Sequence, residues 1–221
     1  MFALLWLSVG ITALFLVGSK STALATRFTN PVISKQWIYQ SITLVIALGL
    51  VFLNRITAGT SRDYLHPGEL TAQSKMLDWL GFEGSNWSEI GIVFTFIPLV
   101  VTIVVVYLQV LSKKRWNLLV LLKAVALAIP LVVMNSLTEE LIFRIIPTEA
   151  LPFTATGIAI VCSVAFGIPH YFGTPGKLIG VLMAGFLGYV AACSVVETQG
   201  IGWAWLIHFV QDVPIIAMLL I

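Results

Sequence analysis

Charge is the scarcest property of this 221-residue sequence, because only 10% of its residues are Asp, Glu, Lys or Arg. Soluble domains carry roughly 25% charged residues, whereas 59% of this chain is hydrophobic and its mean hydropathy is +1.01. A water-soluble globular domain is therefore excluded. The formal net charge of +2 comes from basic residues scattered through loops, so nothing indicates a nucleic-acid partner.

Cysteine and familiar protease motifs are scarce as well. The two cysteines, Cys162 and Cys193, lie inside apolar segments, which favours packed thiols over a disulfide framework. The His-Glu-x-x-His motif of many zinc proteases is missing. The first residues lack a basic stretch and a convincing cleavage site, so we interpret them as a retained membrane anchor, with a cleaved signal peptide as the alternative.

Apolar runs of about twenty residues, each long enough to cross a bilayer as a helix, fill most of the chain. They predict an all-α, polytopic integral membrane bundle with about seven transmembrane helices, at about 2–18, 36–54, 90–111, 117–146, 151–170, 178–196 and 201–220. The bundle has two parts within one unit. Residues 1–115 hold three helices and the long loop 55–89, and residues 116–221 hold the remaining helices.

The basic residues of the loops predict the orientation in the lipid bilayer. Loops one, three and five carry Lys20, Arg27, Lys35, Lys113, Lys114, Arg115 and Lys177. The long second loop carries Arg55, Arg62 and Lys75 together with acidic residues. This bias predicts a multi-pass protein of the cell membrane with a cytoplasmic C-terminus, an N-terminus on the outside and an extracytoplasmic loop 55–89.

Three features of the helices and loops concern packing. Residues 70–80 could form a short surface helix with Leu77, Trp79 and Leu80 facing lipid, or could stay irregular. Four tryptophans near predicted helix ends are explained by interfacial anchoring: Trp37, Trp87, Trp116 and Trp203. A stripe of small residues predicts close helix packing at Gly176, Gly180, Ala184, Gly188 and Ala192.

Few ionisable residues remain at membrane depth, where each charge costs on the order of 3 kcal/mol and suggests function. Lys123 lies near the start of its helix and can snorkel to the headgroups. The others form three clusters on three helices: Glu139, Glu140 and Arg144; His170; and His208 with Asp212.

Spacing separates the two glutamates of the first cluster. Glu140 and Arg144 are four residues apart, share a helical face and can form an ion pair. Glu139 points about 100° away and is left without that partner. A structural ion pair thus explains the presence of Glu140 and Arg144 but not that of Glu139. A carboxylate without such a partner suits a general base or acid.

The histidines are ambiguous when each is considered alone. His170 follows Pro169 and shares a helical face with Phe166, and such a histidine is more often a hydrogen-bonded core residue than a catalyst. His208 and Asp212 are one turn apart, so the carboxylate can orient the imidazole, or both can ligate one metal ion.

Together the clusters resemble the CAAX protease and bacteriocin-processing family, also called Abi, whose members are intramembrane endopeptidases. The shared motifs are Glu139-Glu140-x-x-x-Arg144, Phe166-x-x-x-His170 and His208-x-x-x-Asp212, in the family's order. The resemblance implies hydrolysis of a peptide bond in a membrane-associated protein or peptide, near a prenylated C-terminus in some members.

The resemblance also implies roles. Glu139 would activate the attacking water with help from His170, and Glu140 and Arg144 would stabilise the site as an ion pair. His208 and the residue four positions later would hold the oxyanion or position the water.

Position 212 departs from the best-known eukaryotic-type members, which have Asn there. An ionised Asp212 can only accept hydrogen bonds, so it orients His208, is protonated or binds a metal. A zinc site could draw on Glu139, His170, His208 and Asp212. We favour a metal-free glutamate mechanism over this alternative.

The meeting of Glu139 and His170 poses a geometric problem. In a helix that starts at Asn117, Glu139 lies about 33 Å along the axis, beyond a hydrocarbon core of about 30 Å. His170 falls near the cytoplasmic end of the next helix. The fourth helix must therefore begin later, tilt or kink at Pro130, or the fifth must be displaced or broken. Four side chains are expected to converge: Glu139, His170, His208 and Asp212.

Two other functional classes fit a polytopic protein with these residues. A non-catalytic protein of the same fold could act in bacteriocin self-immunity or as a scaffold. A small transporter could use the carboxylates as proton or cation sites. The sequence shows no inverted repeat of broken helices, which counts against the transporter.

Overall fold

The computed structural model describes residues 2–59, 63–113, 115–173 and 176–221, which contain no β-strand. The helices are α1 Phe2–Ala25, α2 Pro31–Ala58, α3 Trp87–Gln109, α4 Leu118–Glu140, α5 Ile146–Ala150, α6 Ala155–Gly167, α7 Lys177–Thr198 and α8 Gly202–Leu219. Within these ranges seven spans are long and apolar enough to cross a membrane, with α4 and α5 in one continuous span. The prediction of an all-α bundle with seven membrane-spanning helices is confirmed.

Polar residues define where several helices begin. Asn30 caps α2 immediately before Pro31, and Asn117 caps α4. Asn86 and Glu89 form a reciprocal capping box at the start of α3. These caps fix helix starts that hydropathy alone misses, so α2 begins at residue 31 rather than near residue 36.

The fourth span contains the main irregularity of the bundle. After α4 the backbone widens into a single π-helical turn, Leu141–Ile145, in which the N–H of Ile146 bonds to the carbonyl of Leu141. Pro147 follows at once, and its ring excludes a regular helical bond to the carbonyl four residues earlier. Residues 140–149 are all buried, so this part of the span lies inside the protein.

Close packing of helices builds the remaining core. α6 packs on α7, α1 packs on α2, and α8 lies against both α3 and α4. The small-residue stripe of α7 supports the first of these contacts, because a Cβ on Gly188 would meet the Phe166 side chain at 3.2 Å. Large apolar side chains such as Val45 and Phe52 face outwards, as a lipid-facing surface requires.

The segment 63–86 folds over one end of the bundle, which we call the loop end. Its backbone joins the α7–α8 turn through hydrogen bonds from the Glu69 N–H to the Thr198 carbonyl (2.7 Å) and from the Ile201 N–H to the His66 carbonyl (2.9 Å). The other end, with the α1–α2, α3–α4 and α6–α7 connections, is called the basic end.

Of the two alternatives for residues 70–80, a surface helix and an irregular segment, the structure shows the irregular one. The segment is irregular except for a short 3₁₀ turn at Asp78–Leu80. Of the three side chains considered for lipid contact, Leu77 is fully buried, Leu80 is half-buried and Trp79 is exposed. The reason is that the N–H groups of Lys75 and Met76 bond to Glu197 on α7, which draws the segment into the core instead of onto a membrane surface.

The interpretation of Trp87 as an interfacial anchor was wrong. Its side chain is completely buried, and its indole N–H donates to Glu197 at 3.0 Å. A buried indole needs such an acceptor, so Trp87 is part of the attachment of the loop segment to the bundle.

Candidate active site

The centre of the polar cluster is the fully buried Glu140. Its Oε1 lies 3.1 Å from an Arg144 nitrogen and 2.7 Å from Nδ1 of His208. Because a carboxylate can only accept, the Nδ1–H of His208 donates to Glu140. Arg144 also lies over the Phe166 ring, 4.0 Å from its centroid. Glu140 therefore fixes both the cation and the imidazole.

Glu139 and Asp212 approach the other side of the His208 ring. Each has a carboxylate oxygen 3.5 Å from Nε2 of His208. The Asn135 amide joins them, since its Nδ2 donates to Asp212 at 2.8 Å and lies at 3.4 Å from Glu139. Asn135 was not among the site residues expected from the sequence. Its position could have indicated a role, because it is an amide inside an apolar run, four residues before Glu139.

His170 sits on the 3₁₀ turn Ile168–Phe172 that follows α6. Its Nδ1 is 2.7 Å from the carbonyl oxygen of Phe166. A carbonyl can only accept, so Nδ1 carries the proton and the neutral ring presents an unprotonated Nε2. The Phe166 ring separates the histidines, with its centroid 4.6 Å from His170 and 5.4 Å from His208.

The position of the turn between α5 and α6 accounts for the meeting of Glu139 and His170, which line one cavity. The depth of each residue in the bundle can be compared as its distance along the helix axis from the turn that joins α5 to α6. Glu139 lies about 18 Å before Leu151 along its helix, and His170 lies about 22 Å after Ala155. The short α6 and its terminal 3₁₀ turn therefore bring His170 to the level of Glu139.

Two cavities flank His170. The first, of about 240 Å³, is lined by Glu139 and His170 together with Tyr39 of α2 and apolar residues of α1. The second, of about 100 Å³, is lined by His170, His208 and Asp212 and is otherwise mostly apolar. Of the three clustered carboxylates, Glu139 alone borders the first cavity.

The donor atoms do not fit the zinc site considered from the sequence. Among the described residues, no three His, Cys, Asp or Glu side chains are arranged so that they could hold a metal ion. The Asn135 amide lies between Glu139 and Asp212, where its N–H groups engage the carboxylate oxygens. No step of the reaction below involves a metal.

The structure brings all six residues expected from the sequence into one neighbourhood. Glu139, Glu140 and Asp212 surround His208 directly. Arg144 reaches the group through Glu140, and His170 reaches it through Phe166 and the shared cavities. Glu139 and Glu140 lie on α4, Arg144 on the π-helical turn after it, His170 on the 3₁₀ turn after α6, and His208 and Asp212 on α8.

Fold and site together define a polytopic membrane protein with a buried polar site that borders internal cavities. The family model described as "Type II CAAX prenyl endopeptidase Rce1-like" matches residues 115–214, which contain the whole polar cluster. This part of the chain is similar to the Rce1-like family, a family of membrane proteases, and the resemblance seen in the motifs is confirmed over these residues. No curated protein and no solved structure matches the chain.

Proposed function

We propose that this protein is an intramembrane endopeptidase that hydrolyses a peptide bond of a membrane-associated protein or peptide through water activated by Glu139. One observation carries the proposal: Glu139 and His170 line the same cavity, and both have atoms free to contact water. The Glu139 side chain is 17% exposed, whereas that of Glu140 is 0% exposed. Glu140 is thereby restricted to positioning other groups.

Hydrolysis begins with a water molecule held between the Glu139 carboxylate and Nε2 of His170. Glu139 accepts a proton as the water oxygen attacks the carbonyl carbon of the substrate. The resulting tetrahedral intermediate carries its negative charge on the former carbonyl oxygen. The C–N bond then breaks, and the proton held by Glu139 passes to the leaving nitrogen, which gives one carboxylic acid and one amine.

His208 is suited to stabilise the oxyanion. Its Nδ1–H is fixed by Glu140, so the ring orientation is set before the substrate binds. When the ring is protonated, Nε2 is a second donor. Asp212 lies 3.5 Å from this nitrogen and accepts from Asn135, which suits an orienting role rather than direct contact with the oxyanion.

The substrate we propose is a C-terminal CAAX-type segment, prenylated on its cysteine, that approaches from the cytoplasm. Every Asp and Glu outside the cluster belongs to residues 63–89, 149 or 197, which lie at the loop end. The connections at the basic end contain lysine and arginine without acidic residues. By the positive-inside rule we therefore propose that the basic end, and with it the C-terminus, faces the cytoplasm.

A cleavage assay with purified protein and a prenylated CAAX peptide tests this proposal. We expect the Glu139→Gln variant to lose about 10³-fold in rate while keeping the unfolding temperature of the wild type. A metal chelator should leave the wild-type rate unchanged.

Three outcomes would contradict the proposal in different ways. Undiminished cleavage by the Glu139→Gln variant would remove Glu139 as the base. Loss of activity with chelator, restored by zinc, would replace the metal-free mechanism. A wild-type protein that cleaves no membrane-associated peptide would favour a non-catalytic role in immunity or scaffolding.

A further inference from the structure

The cavity at Glu139 continues into a groove between α1 and α2. This α1–α2 groove is lined by Leu14, Phe15, Gly18, Ser19, Lys35, Gln36 and Tyr39. Three of these residues, Leu14, Phe15 and Tyr39, also line the Glu139 cavity. The Glu139 cavity and the groove therefore adjoin at Tyr39, and the groove extends from there to Lys35 at the basic end of the bundle.

Lys35 brings a positive charge into a region without carboxylates. Its side chain is half-buried and lies one helical turn from Tyr39, on the same face of α2. Residues 1–62 contain neither Asp nor Glu. No ion pair of Lys35 occurs in the part of the chain that the structure describes. The groove thus presents a cation that matches an anionic group of a ligand.

We propose that Lys35 binds the terminal carboxylate of the peptide substrate, whose last residues lie in the α1–α2 groove. This inference rests on the proposed function and adds a specificity-determining residue to it. Lys35 lies outside residues 115–214, the range that the family model matches. Recognition of the peptide end is therefore assigned to the N-terminal helices, and hydrolysis to α4, α8 and the 3₁₀ turn after α6.

The dimensions of the groove suit a substrate cut within its last four residues. A CAAX sequence is C-terminal and consists of a cysteine, two aliphatic residues and a variable last residue. At most three residues then separate the cleaved bond from the carboxylate, and they span about 10 Å when extended. One helical turn from Tyr39 to Lys35 covers about 6 Å, and Leu14 and Phe15 provide apolar walls for the aliphatic side chains.

Lys20 offers a matched control. It is also a lysine near the basic end of α1 and is exposed, but it borders a different groove, lined by Leu16, Leu24 and Ile42 among other apolar residues. A lysine in that position can reach lipid headgroups by snorkelling. If Lys35 served only this purpose, neutralising either lysine would have the same effect on peptide binding.

The experiment measures the affinity of the full-length Glu139→Gln protein for two prenylated CAAX peptides that differ only at the end, a free acid and a C-terminal amide. We expect the acid to bind about tenfold more tightly, as a charge-assisted contact provides. Lys35→Met should reduce this ratio to about one, and Lys20→Met should preserve it.

Equal binding of acid and amide would overturn the inference, as would a ratio that survives Lys35→Met. A ratio lost equally in both lysine variants would point to general surface charge and would also overturn it. Cleavage by the wild type is assayed in parallel. The proposed function fails if the wild type is inactive, whereas the role of Lys35 fails on the binding ratio, so the two failures are distinguishable.

Discussion

Two carboxylates on apolar helices, Glu197 and Glu139, have opposite surroundings. Glu197, near the end of α7, accepts hydrogen bonds of 2.7–3.0 Å from Ser74, Lys75, Met76 and Trp87. Glu139 has only long contacts, at 3.4 Å to the Asn135 amide and at 3.5 Å to Nε2 of His208, and borders a cavity. A carboxylate whose oxygens are saturated by donors is an anchor. One with free oxygens facing a cavity can accept a proton from water.

A second acid at the loop end, the buried Glu149, also has its carboxylate oxygens held by donors, as Glu197 does. Arg55 donates to it from two nitrogens, at 3.0 and 2.6 Å, and also pairs with Asp63 at 2.7 Å. Hydrogen bonds to the Asp63 carboxylate lower its pKa below the ordinary value. The largest contribution comes from the Leu65 N–H and the next from the Arg55 side chain. The loop end is thus a structural polar region, in contrast to the cluster around Glu139.

The largest effect on stability and cleavage is expected at Glu140, which belongs to the catalytic cluster but is fully buried and paired with Arg144 and His208. Glu140→Gln leaves the buried Arg144 guanidinium without its counter-charge, and breaking such a pair costs about 3–5 kcal/mol. We therefore expect a much lower unfolding temperature and no detectable cleavage. Thermal unfolding in detergent and the peptide assay measure both.

A double variant separates the loss of stability from the loss of cleavage that we expect in Glu140→Gln. Glu140→Gln with Arg144→Met removes both charges and should recover most of the lost stability. It should not recover cleavage, because His208 then lacks the carboxylate that fixes its ring. Recovery of cleavage together with stability would show that Glu140 acts only in folding.

A stability effect without loss of chemistry is expected at Glu197. Glu197→Ala leaves the buried indole N–H of Trp87 without an acceptor, at a cost of about 1–3 kcal/mol. The segment 63–86 should become more sensitive to proteolysis, while cleavage per folded molecule stays within about twofold of the wild type. Glu83→Ala, at an exposed position of the same segment, is the control and should change neither property. A large loss of cleavage per folded molecule in Glu197→Ala would contradict the assignment of Glu197 as a structural residue and Glu139 as a catalytic one.

The smallest effect on the cleavage rate is expected from the Asp212→Asn substitution. The amide keeps the shape of the side chain and an oxygen that can accept from Asn135. The cleavage rate should stay within about tenfold of the wild type, a factor equal to about 1.4 kcal/mol. A complete loss of cleavage in this variant would show that the charge of Asp212 takes part in the reaction.

Much of the architecture was predictable because it depends on local patterns. Runs of about twenty apolar residues predict membrane helices, and all seven spans are present among the described residues. The i, i+4 spacing of Glu140 and Arg144 predicts their ion pair, which the structure contains. Both results follow from helix geometry within one segment.

The remaining features depend on long-range contacts, which single-segment patterns do not encode. The π-helical turn after Glu140 and the 3₁₀ turn that carries His170 set the levels at which α4 and α6 meet. Glu197 bonds to residues more than 100 positions away in sequence, so the burial of Leu77 and Trp87 could not be predicted from their own segments. Asn135 acquires its role only when α8 brings Asp212 beside it.

The most direct test compares the isosteric variants Glu139→Gln and Glu197→Gln in one preparation, by kcat/KM for a prenylated CAAX peptide and by unfolding temperature. We predict that Glu139→Gln loses about 10³-fold in kcat/KM without a lower unfolding temperature. Glu197→Gln should lower the unfolding temperature by about 2–8 °C and keep its kcat/KM per folded molecule. If Glu139→Gln instead lowers the unfolding temperature and retains kcat/KM per folded molecule, Glu139 is an anchor and the assignment of the base is wrong.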